Sequence, residues 1–143
     1  MARTPPFSVP VQAATPALFT ADASGKGPVA ALNQDGSVNS PSNPAAQGSI
    51  VVLYATGEGA LNAAVPDGTI ISATPLAAPV LPVQVTIGGT NANIMYAGAV
   101  PQLVAGAIQI NIRVPTGLPS GNAAIDLIVG TAISPNGCTI WVQ

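Results

Sequence analysis

The chain has 143 residues, of which 48% are hydrophobic and 6% are charged, and its formal net charge is −2. This length corresponds to one domain, which buries roughly two-thirds of its unfolded surface and needs no disulfide to fold. Arg3, Lys26 and Arg113 are the only basic residues, so we predict no nucleic-acid partner, because phosphates require a basic face. The 15 prolines disfavour long helices, and the β-branched runs between them have strand length.

Targeting and redox signals are weak in this sequence. Every apolar run is interrupted before the roughly 20 residues that a membrane-spanning helix requires, so we predict no membrane span. Residues 1–6 lack the apolar stretch of a signal peptide, and a secreted protein is therefore expected to be represented here by a fragment. Cys138 is the only cysteine, and we expect a small buried residue in a strand.

The first expected element is an extended N-terminal arm, residues 4–20. Phe7, Val9 and Val11 alternate with polar residues and proline, which is the period-2 pattern of a strand. Pro10 has no N–H to donate, so this strand is restricted to an edge or to one-sided pairing.

The arm also resembles the end of the chain. Residues 7–12 (FSVPVQ) and residues 138–143 (CTIWVQ) share the order apolar, hydroxyl, apolar, any residue, Val, Gln. The arm therefore looks like the closing strand of a preceding domain, and we expect it to dock against another sheet. Leu18 and Phe19 form a second apolar cluster at its end.

The remaining elements predict an all-β chain. A hairpin is expected within residues 27–46, around a turn that contains Gly36. We predict two units, an arm with a hairpin at residues 1–47 and a β-sandwich at residues 48–143. Strands are expected at residues 50–54, 69–71, 80–87, 92–96, 108–114, 124–129 and 138–143. Seven short strands in about a hundred residues are typical of an immunoglobulin-like sandwich, and a small barrel is the competing architecture.

No arrangement of residues in the sequence predicts catalysis, a cofactor or a metal. Histidine is absent, which excludes triads and metal sites that use imidazole. The five carboxylates are scattered singly, so solubilising residues are favoured over a glycosidase pair. Residues 33–37 lack the second acid and the bidentate glutamate of a calcium loop. Residues 57–59 (GEG) do not lead into a helix as a phosphate loop does, so both segments are interpreted as turns.

Two sets of side chains are candidates for a functional surface. Gln109, Asn111 and Arg113 share one face of the strand at residues 108–114 and define a candidate polar surface. The competing interpretation, which we favour, is that these side chains hydrogen-bond to neighbouring loop backbone. Trp141 is predicted to face away from its apolar neighbours, either as a core filler or, as we favour, as an aromatic anchor at an interface.

Seven segments in order carry a family resemblance: residues 16–20 (PALFT), 31–40 (ALNQDGSVNS), 43–46 (NPAA), 52–59 (VLYATGEG), 85–89 (VTIGG), 96–98 (YAG) and 109–115 (QINIRVP). Together they resemble an uncharacterised C-terminal domain family of Solibacter and other Acidobacteria. Its members resemble the ends of large secreted proteins with Ig-like modules of the IPT/TIG type. The resemblance implies an Ig-like sandwich and a secreted or cell-surface location, and it brings no activity. The chain departs from the family at Gln102 and Trp141.

Three function hypotheses follow. The first is a non-enzymatic extracellular structural module that self-associates as a homo-oligomer or polymer, including a filament, when its arm adds a strand to a neighbour. The residues expected at that contact are Phe7, Val9, Val11, Leu18, Phe19 and Trp141. The second is a secreted adhesive or carbohydrate-binding Ig-like module at the C-terminus of a larger protein. The third, an enzyme, has no supporting residues.

Overall fold

Every regular element in the computed structural model, which describes residues 3–72 and 75–143, is a β-strand. The strands are β1 (Ala17–Leu18), β2 (Gly27–Pro28), β3 (Ala31–Leu32), β4 (Ile50–Thr56), β5 (Val83–Ile87), β6 (Thr90–Ala99), β7 (Ile108–Arg113), β8 (Gly121–Val129), β9 (Ala132–Ile133) and β10 (Cys138–Val142). The prediction of an all-β chain is confirmed, whereas the immunoglobulin-like sandwich stays a prediction. None of the described residues forms a helix long and apolar enough to cross a membrane.

The ten strands form one mixed sheet in the order β1-β4-β7-β6-β5-β8-β10-β2, with β3 beside β4 and β9 beside β8. Among the strands of the described residues, β10 and β2 are the one pair that runs parallel. The two longest strands change partners along their length. β6 pairs with β5 through residues 90–92 and with β7 through residues 93–99, and β8 pairs with β10 through residues 121–124 and with β5 through residues 125–129. The sheet curls into a half-barrel.

Alternation along the strands builds the core. In β7, which lies between β4 and β6, Ile108, Ile110 and Ile112 are fully buried, while the polar residues between them lie on the other face. The inward residues of β4, β5, β8 and β10 follow the same period and join them in one hydrophobic cluster. The alternating pattern that predicted the strand at residues 108–114 therefore also identifies the centre of the core.

The segment before β4 belongs to the same core. It contributes five buried apolar residues, Ala14, Leu18, Val29, Ala31 and Ala45. β1 and β3 cover the edge of β4 that faces away from β7. Residues on both sides of position 47 thus share one hydrophobic cluster, and the boundary that we placed there stays a prediction.

The turns form where the sequence predicts them, but several strand ends differ. The hairpin around Gly36 is confirmed by the bridge between Leu32 and Val38 and by the hydrogen bond from Asn33 N–H to the Ser37 carbonyl (2.8 Å). β5 begins at residue 83 rather than 80, β6 spans residues 90–99 rather than 92–96, and β8 begins at residue 121 rather than 124. The expected strand at residues 69–71 is reduced to one bridge, between residues 70 and 104.

Candidate functional site

Residues 3–13, the part of the predicted arm that precedes β1 and is called the arm from here on, are the most exposed segment that the structure describes. Residues 3–13 form no strand, and within the described chain their backbone makes no hydrogen bond. Phe7, Val9 and Val11 are 89%, 69% and 93% exposed. Successive side chains of an extended chain point to opposite sides, so residues 7, 9 and 11 belong to one apolar face when the arm is extended. The arm therefore offers both an apolar face and unpaired backbone groups.

The arm is fixed at its base by two glycines. The Thr15 N–H donates to the Gly57 carbonyl oxygen (2.9 Å). A Cβ atom on Gly57 would overlap the carbonyl oxygen of Thr15, and a Cβ atom on Gly59 would overlap that of Ala13. Both glycines also have positive φ angles, +80° and +75°. The turn at residues 57–59 therefore holds the base of the arm in place. The sequence predicts the turn but not this contact.

Two further residues of the predicted contact surface occupy different environments. Leu18 packs in the core and is not available to a partner in this conformation. Phe19, on the opposite face, is 41% exposed. It lies beside a mostly apolar surface cavity of about 460 Å³ whose walls include Thr20, Ala23 and Ala30. The two residues, which are adjacent in sequence, thus differ in exposure, although both line this cavity.

The outer edge of β10, the edge that faces away from β8, is occupied by the segment at residues 27–47. The Val29 N–H donates to the Thr139 carbonyl oxygen (2.9 Å), and the Gln47 N–H donates to the Gln143 carbonyl oxygen (3.0 Å). Ala45 also pairs with the end of β10 in parallel orientation. The edge of β10 that would otherwise be open to another chain is therefore closed from within.

Between these backbone contacts, the side chain of Asn39 hydrogen-bonds to the outer edge of β10. The Asn39 carboxamide donates from Nδ2 to the Trp141 carbonyl oxygen (2.8 Å) and accepts from the Trp141 N–H at Oδ1 (3.0 Å). Its Nδ2 also donates to Oδ1 of Asn33 (3.1 Å). The sequence did not single out Asn39 or Asn33. The only signal in the sequence is their position in a loop rich in asparagine and serine, and that composition is equally typical of an exposed turn.

Trp141 lies on the outer face of β10, as its alternation predicts, with its side chain half-buried. Its indole Nε1 and the hydroxyl Oγ1 of Thr139, two residues earlier, are buried and have no hydrogen-bond partner among the described residues. Unpartnered buried polar groups lower stability unless another group or water satisfies them. A role for Trp141 as an interface anchor stays a prediction.

The candidate polar surface lies on the outer face of β7, and its side chains have local partners. Gln109 Nε2 donates to Asn111 Oδ1 (2.8 Å). Arg113 Nη1 donates to the Gly48 carbonyl oxygen (2.7 Å). The guanidinium thus hydrogen-bonds to neighbouring loop backbone, and the functional role of this surface stays a prediction. The three residues share a face, but the structure shows no further site built around them in the described chain.

Two carboxylates border one surface cavity. Glu58 and Asp67 line a space of about 370 Å³ that is closed on another side by Ala105 and Gly106. Glu58 is buried, whereas Asp67 is exposed. Within residues 3–72 and 75–143 no group of three or more potential metal ligands of the His, Cys, Asp or Glu type comes together. The cavity therefore presents negative charge without an assembled metal site among the described residues.

No protein-family model, curated protein or solved structure matches this chain.

Proposed function

We propose that the protein is a non-enzymatic extracellular structural module that associates with other copies of itself by donating its N-terminal arm as a β-strand. The observation that carries the proposal is the arm itself. Phe7, Val9 and Val11 are exposed at alternate positions on a backbone that has no hydrogen-bond partner in the described structure. An added strand buries these side chains and satisfies the backbone in one step, which is the physical basis of β-augmentation.

Burial of the three apolar side chains of the arm contributes favourably to the free energy of association. Full burial of a valine or phenylalanine side chain stabilises by about 1.5–3 kcal/mol relative to leaving it in water. Three such residues contribute about 5–9 kcal/mol against the cost of ordering a short segment and of joining two molecules, and the new backbone hydrogen bonds add to this contribution. The chain also carries few charges, 6% of its residues, so repulsion between copies is small.

The same proposal includes the architecture of the domain, its location and the form of its assembly. An immunoglobulin-like architecture is supported by the main hydrophobic core, which is enclosed by strands that change partners, and by the number of short strands. A secreted or cell-surface location is supported by the resemblance to the acidobacterial C-terminal domains. Repeated donation from one copy to the next is a heterologous contact that does not close on itself, and such contacts build filaments.

Light scattering coupled to size-exclusion chromatography tests the proposal, with negative-stain electron microscopy of the same samples. The intact chain is compared with a chain that lacks residues 1–12 and with a full-length variant that carries serine at positions 7, 9 and 11. We expect oligomers whose mass rises with concentration for the intact chain and monomers for both variants. A serine variant that associates as strongly as the intact chain would refute a role for the apolar face of the arm.

A further inference from the structure

The arm and β10 carry the same residue pattern in opposite environments. In both hexapeptides, residues 7–12 and residues 138–143, the first, third and fifth positions are apolar and the last is glutamine. The three apolar residues of β10 are at most 3% exposed, whereas those of the arm are at least 69% exposed. The copy of the pattern in β10 is therefore buried in the core, whereas the copy in the arm is exposed to solvent.

The single proline of the arm hexapeptide, residues 7–12, falls where β10 requires no N–H donor toward β8. Pro10 corresponds to Trp141, whose N–H donates to Asn39 and whose carbonyl oxygen accepts from the Ala45 N–H (2.9 Å). Both backbone groups of Trp141 thus face away from β8. Because these groups alternate sides along a strand, the residues on either side of Trp141 turn theirs toward β8. A proline at this position therefore leaves the hydrogen bonds to β8 intact.

We infer that the arm's partner is a second copy of this chain and that residues 7–12 enter the place of β10 in that copy. This inference rests on the proposed function and names the receiving surface for it, which we call the β10 site. The site is the slot between β8 at residues 121–124 and the segment at residues 27–47, together with the core beneath it. Val9 and Val11 take the positions of Ile140 and Val142 there.

The other sheet edges fit the arm less well. The outer edge of β4 is already paired with β1 and β3. β9 pairs with β8 along one edge but has only two residues, too few to register a six-residue strand. Because the arm carries the pattern of β10, the β10 site matches it in length and in the alternation of side chains. Its occupation by the arm requires the resident β10 to leave.

Association is therefore a competition between two similar strands. β10 is tethered to its own site, with an effective concentration on the order of 1 mM for a short link. If the arm binds with similar strength, about one site in ten is exchanged when the chain is at roughly 0.1 mM. Weakening β10 shifts this balance directly, since the arm of the other copy is unchanged.

The link between joined copies is short. Gln12 ends the exchanged hexapeptide, and Thr15 is already hydrogen-bonded to Gly57 in its own copy. Only residues 13 and 14 lie between, so two residues, roughly 7 Å of extended chain, separate the donated strand from its fixed base. Neighbouring copies are thereby held in close and restricted contact, as a stiff polymer requires.

Selective weakening of β10 in the full-length chain tests the inference. Ile140→Ala removes a fully buried side chain from β10, and Ile110→Ala removes an equally buried one from β7, at the other side of the sheet. A buried isoleucine-to-alanine change weakens docking by about thirtyfold or more. At roughly 0.1 mM we expect the exchanged fraction to rise from about a tenth to most of the sample for Ile140→Ala. We expect no rise for Ile110→Ala, and removal of residues 1–12 from Ile140→Ala should restore monomers.

The readouts separate the two proposals. Association that depends on the arm but does not increase in Ile140→Ala keeps the proposed function and overturns the β10 site as its receiver. Association that does not depend on the arm overturns both.

A second pair of variants tests the register even if Ile140→Ala unfolds. Trp141→Pro reproduces the arm's proline, whereas Ile140→Pro places a proline where the N–H faces β8. We expect a cooperative thermal transition for Trp141→Pro and its loss for Ile140→Pro. Equal loss of folding in both variants would overturn the correspondence between arm and β10.

Discussion

The side chain of Asn39 occupies the position that the backbone of a neighbouring strand would take beside Trp141. It donates to the Trp141 carbonyl oxygen at 2.8 Å and accepts from the Trp141 N–H at 3.0 Å. Asn39 comes from the loop after the β3 hairpin, and Trp141 lies in the last strand, 102 residues later. One carboxamide thus joins the first third of the chain to its final strand and closes the sheet edge.

Removal of this carboxamide should destabilise the fold. In Asn39→Ala the Trp141 N–H and the Asn33 Oδ1 lose their hydrogen-bond partner, whereas the Trp141 carbonyl oxygen keeps the Ala45 N–H. Each unsatisfied buried group costs about 1–3 kcal/mol, so we expect a loss of about 3 kcal/mol in the free energy of unfolding. Urea denaturation followed by tryptophan fluorescence measures it directly, because Trp141 is the only tryptophan. Ser42→Ala, at an exposed position of the same loop, is the control and should change stability little.

Residues 13–15 pack closely on the turn at residues 57–59. We therefore expect an alanine substitution to cost different amounts of stability at two glycines with nearly identical φ angles. Gly57 has φ +80° and no room for a Cβ atom against Thr15, whereas Gly36 has φ +82° and open space around it. Gly36→Ala should cost only the left-handed backbone strain, about 1 kcal/mol. Gly57→Ala adds a clash with backbone and should cost about 3 kcal/mol or more. Thermal unfolding of the two variants measures the difference, and equal costs would show that residues 13–15 do not press on this turn.

Thr139 offers a stabilising substitution. Its hydroxyl is buried and has no partner in the described structure, and valine has nearly the same shape without the polar atom. Thr139→Val should therefore raise the free energy of unfolding by about 1 kcal/mol. Chemical denaturation checks the sign. A loss of stability would show that the hydroxyl is satisfied in solution, for example by a bound water molecule.

The hairpin turn should make stability depend on pH in the acid range. Hydrogen bonds from the Ser37 hydroxyl and then from the Ser37 N–H lower the pKa of Asp35 below its ordinary value. A carboxyl group whose pKa is lower in the folded chain stabilises the fold at neutral pH, and this contribution is lost as pH falls through the lowered pKa. The stability difference between wild type and Asp35→Asn should therefore shrink below about pH 3.9. NMR titration of the Asp35 carboxyl in wild type and Ser37→Ala checks the cause, since the variant's pKa should move upward.

Cys138 should react slowly in the folded protein. Burial, and secondarily the negative charge of Asp126, raises the pKa of its thiol. The thiolate is the reactive form. Burial therefore slows the reaction in two ways, because it limits access of the reagent and because the raised pKa lowers the fraction of thiolate. Reaction with a disulfide reagent at mildly alkaline pH should be limited by release of β10 and should accelerate in urea. Immediate reaction of the native chain would mean that the last strand is not held in the core.

Local pattern was sufficient to predict the long strands and the tight turns. β7 follows from aliphatic residues at every second position, because a side chain on every other residue faces the core. The adjacent pair Gly88 and Gly89 marks the hairpin between β5 and β6, where both φ angles are positive. Strand ends were less accurate, since pairing with a distant partner, rather than local propensity, decides where β6 ends and where β8 begins.

The candidate site was predicted in part. The arm, its apolar residues and its likeness to the last strand are visible in the sequence, because period-2 patterns are local. The core position of Leu18 and the partner of Arg113 were decided by contacts with β4 and its preceding turn, which no local pattern specifies. The same holds for Gly57 and Gly59, whose need for glycine comes from a backbone segment more than forty residues earlier.

Local patterns in the sequence are enough to predict that this chain is all-β, that its strands alternate around an aliphatic core and that a strand-like segment with a proline lies near residue 10. These features depend on side-chain polarity and backbone geometry over a few residues. Long-range packing, in contrast, places the segment at residues 27–47 along the edge of β10 and leaves residues 3–13 unpaired within the described chain. That outcome depends on hydrogen bonds between groups about a hundred residues apart, such as those of Asn39 and Trp141, and their pairing becomes specific only when the core has brought both ends of the chain together.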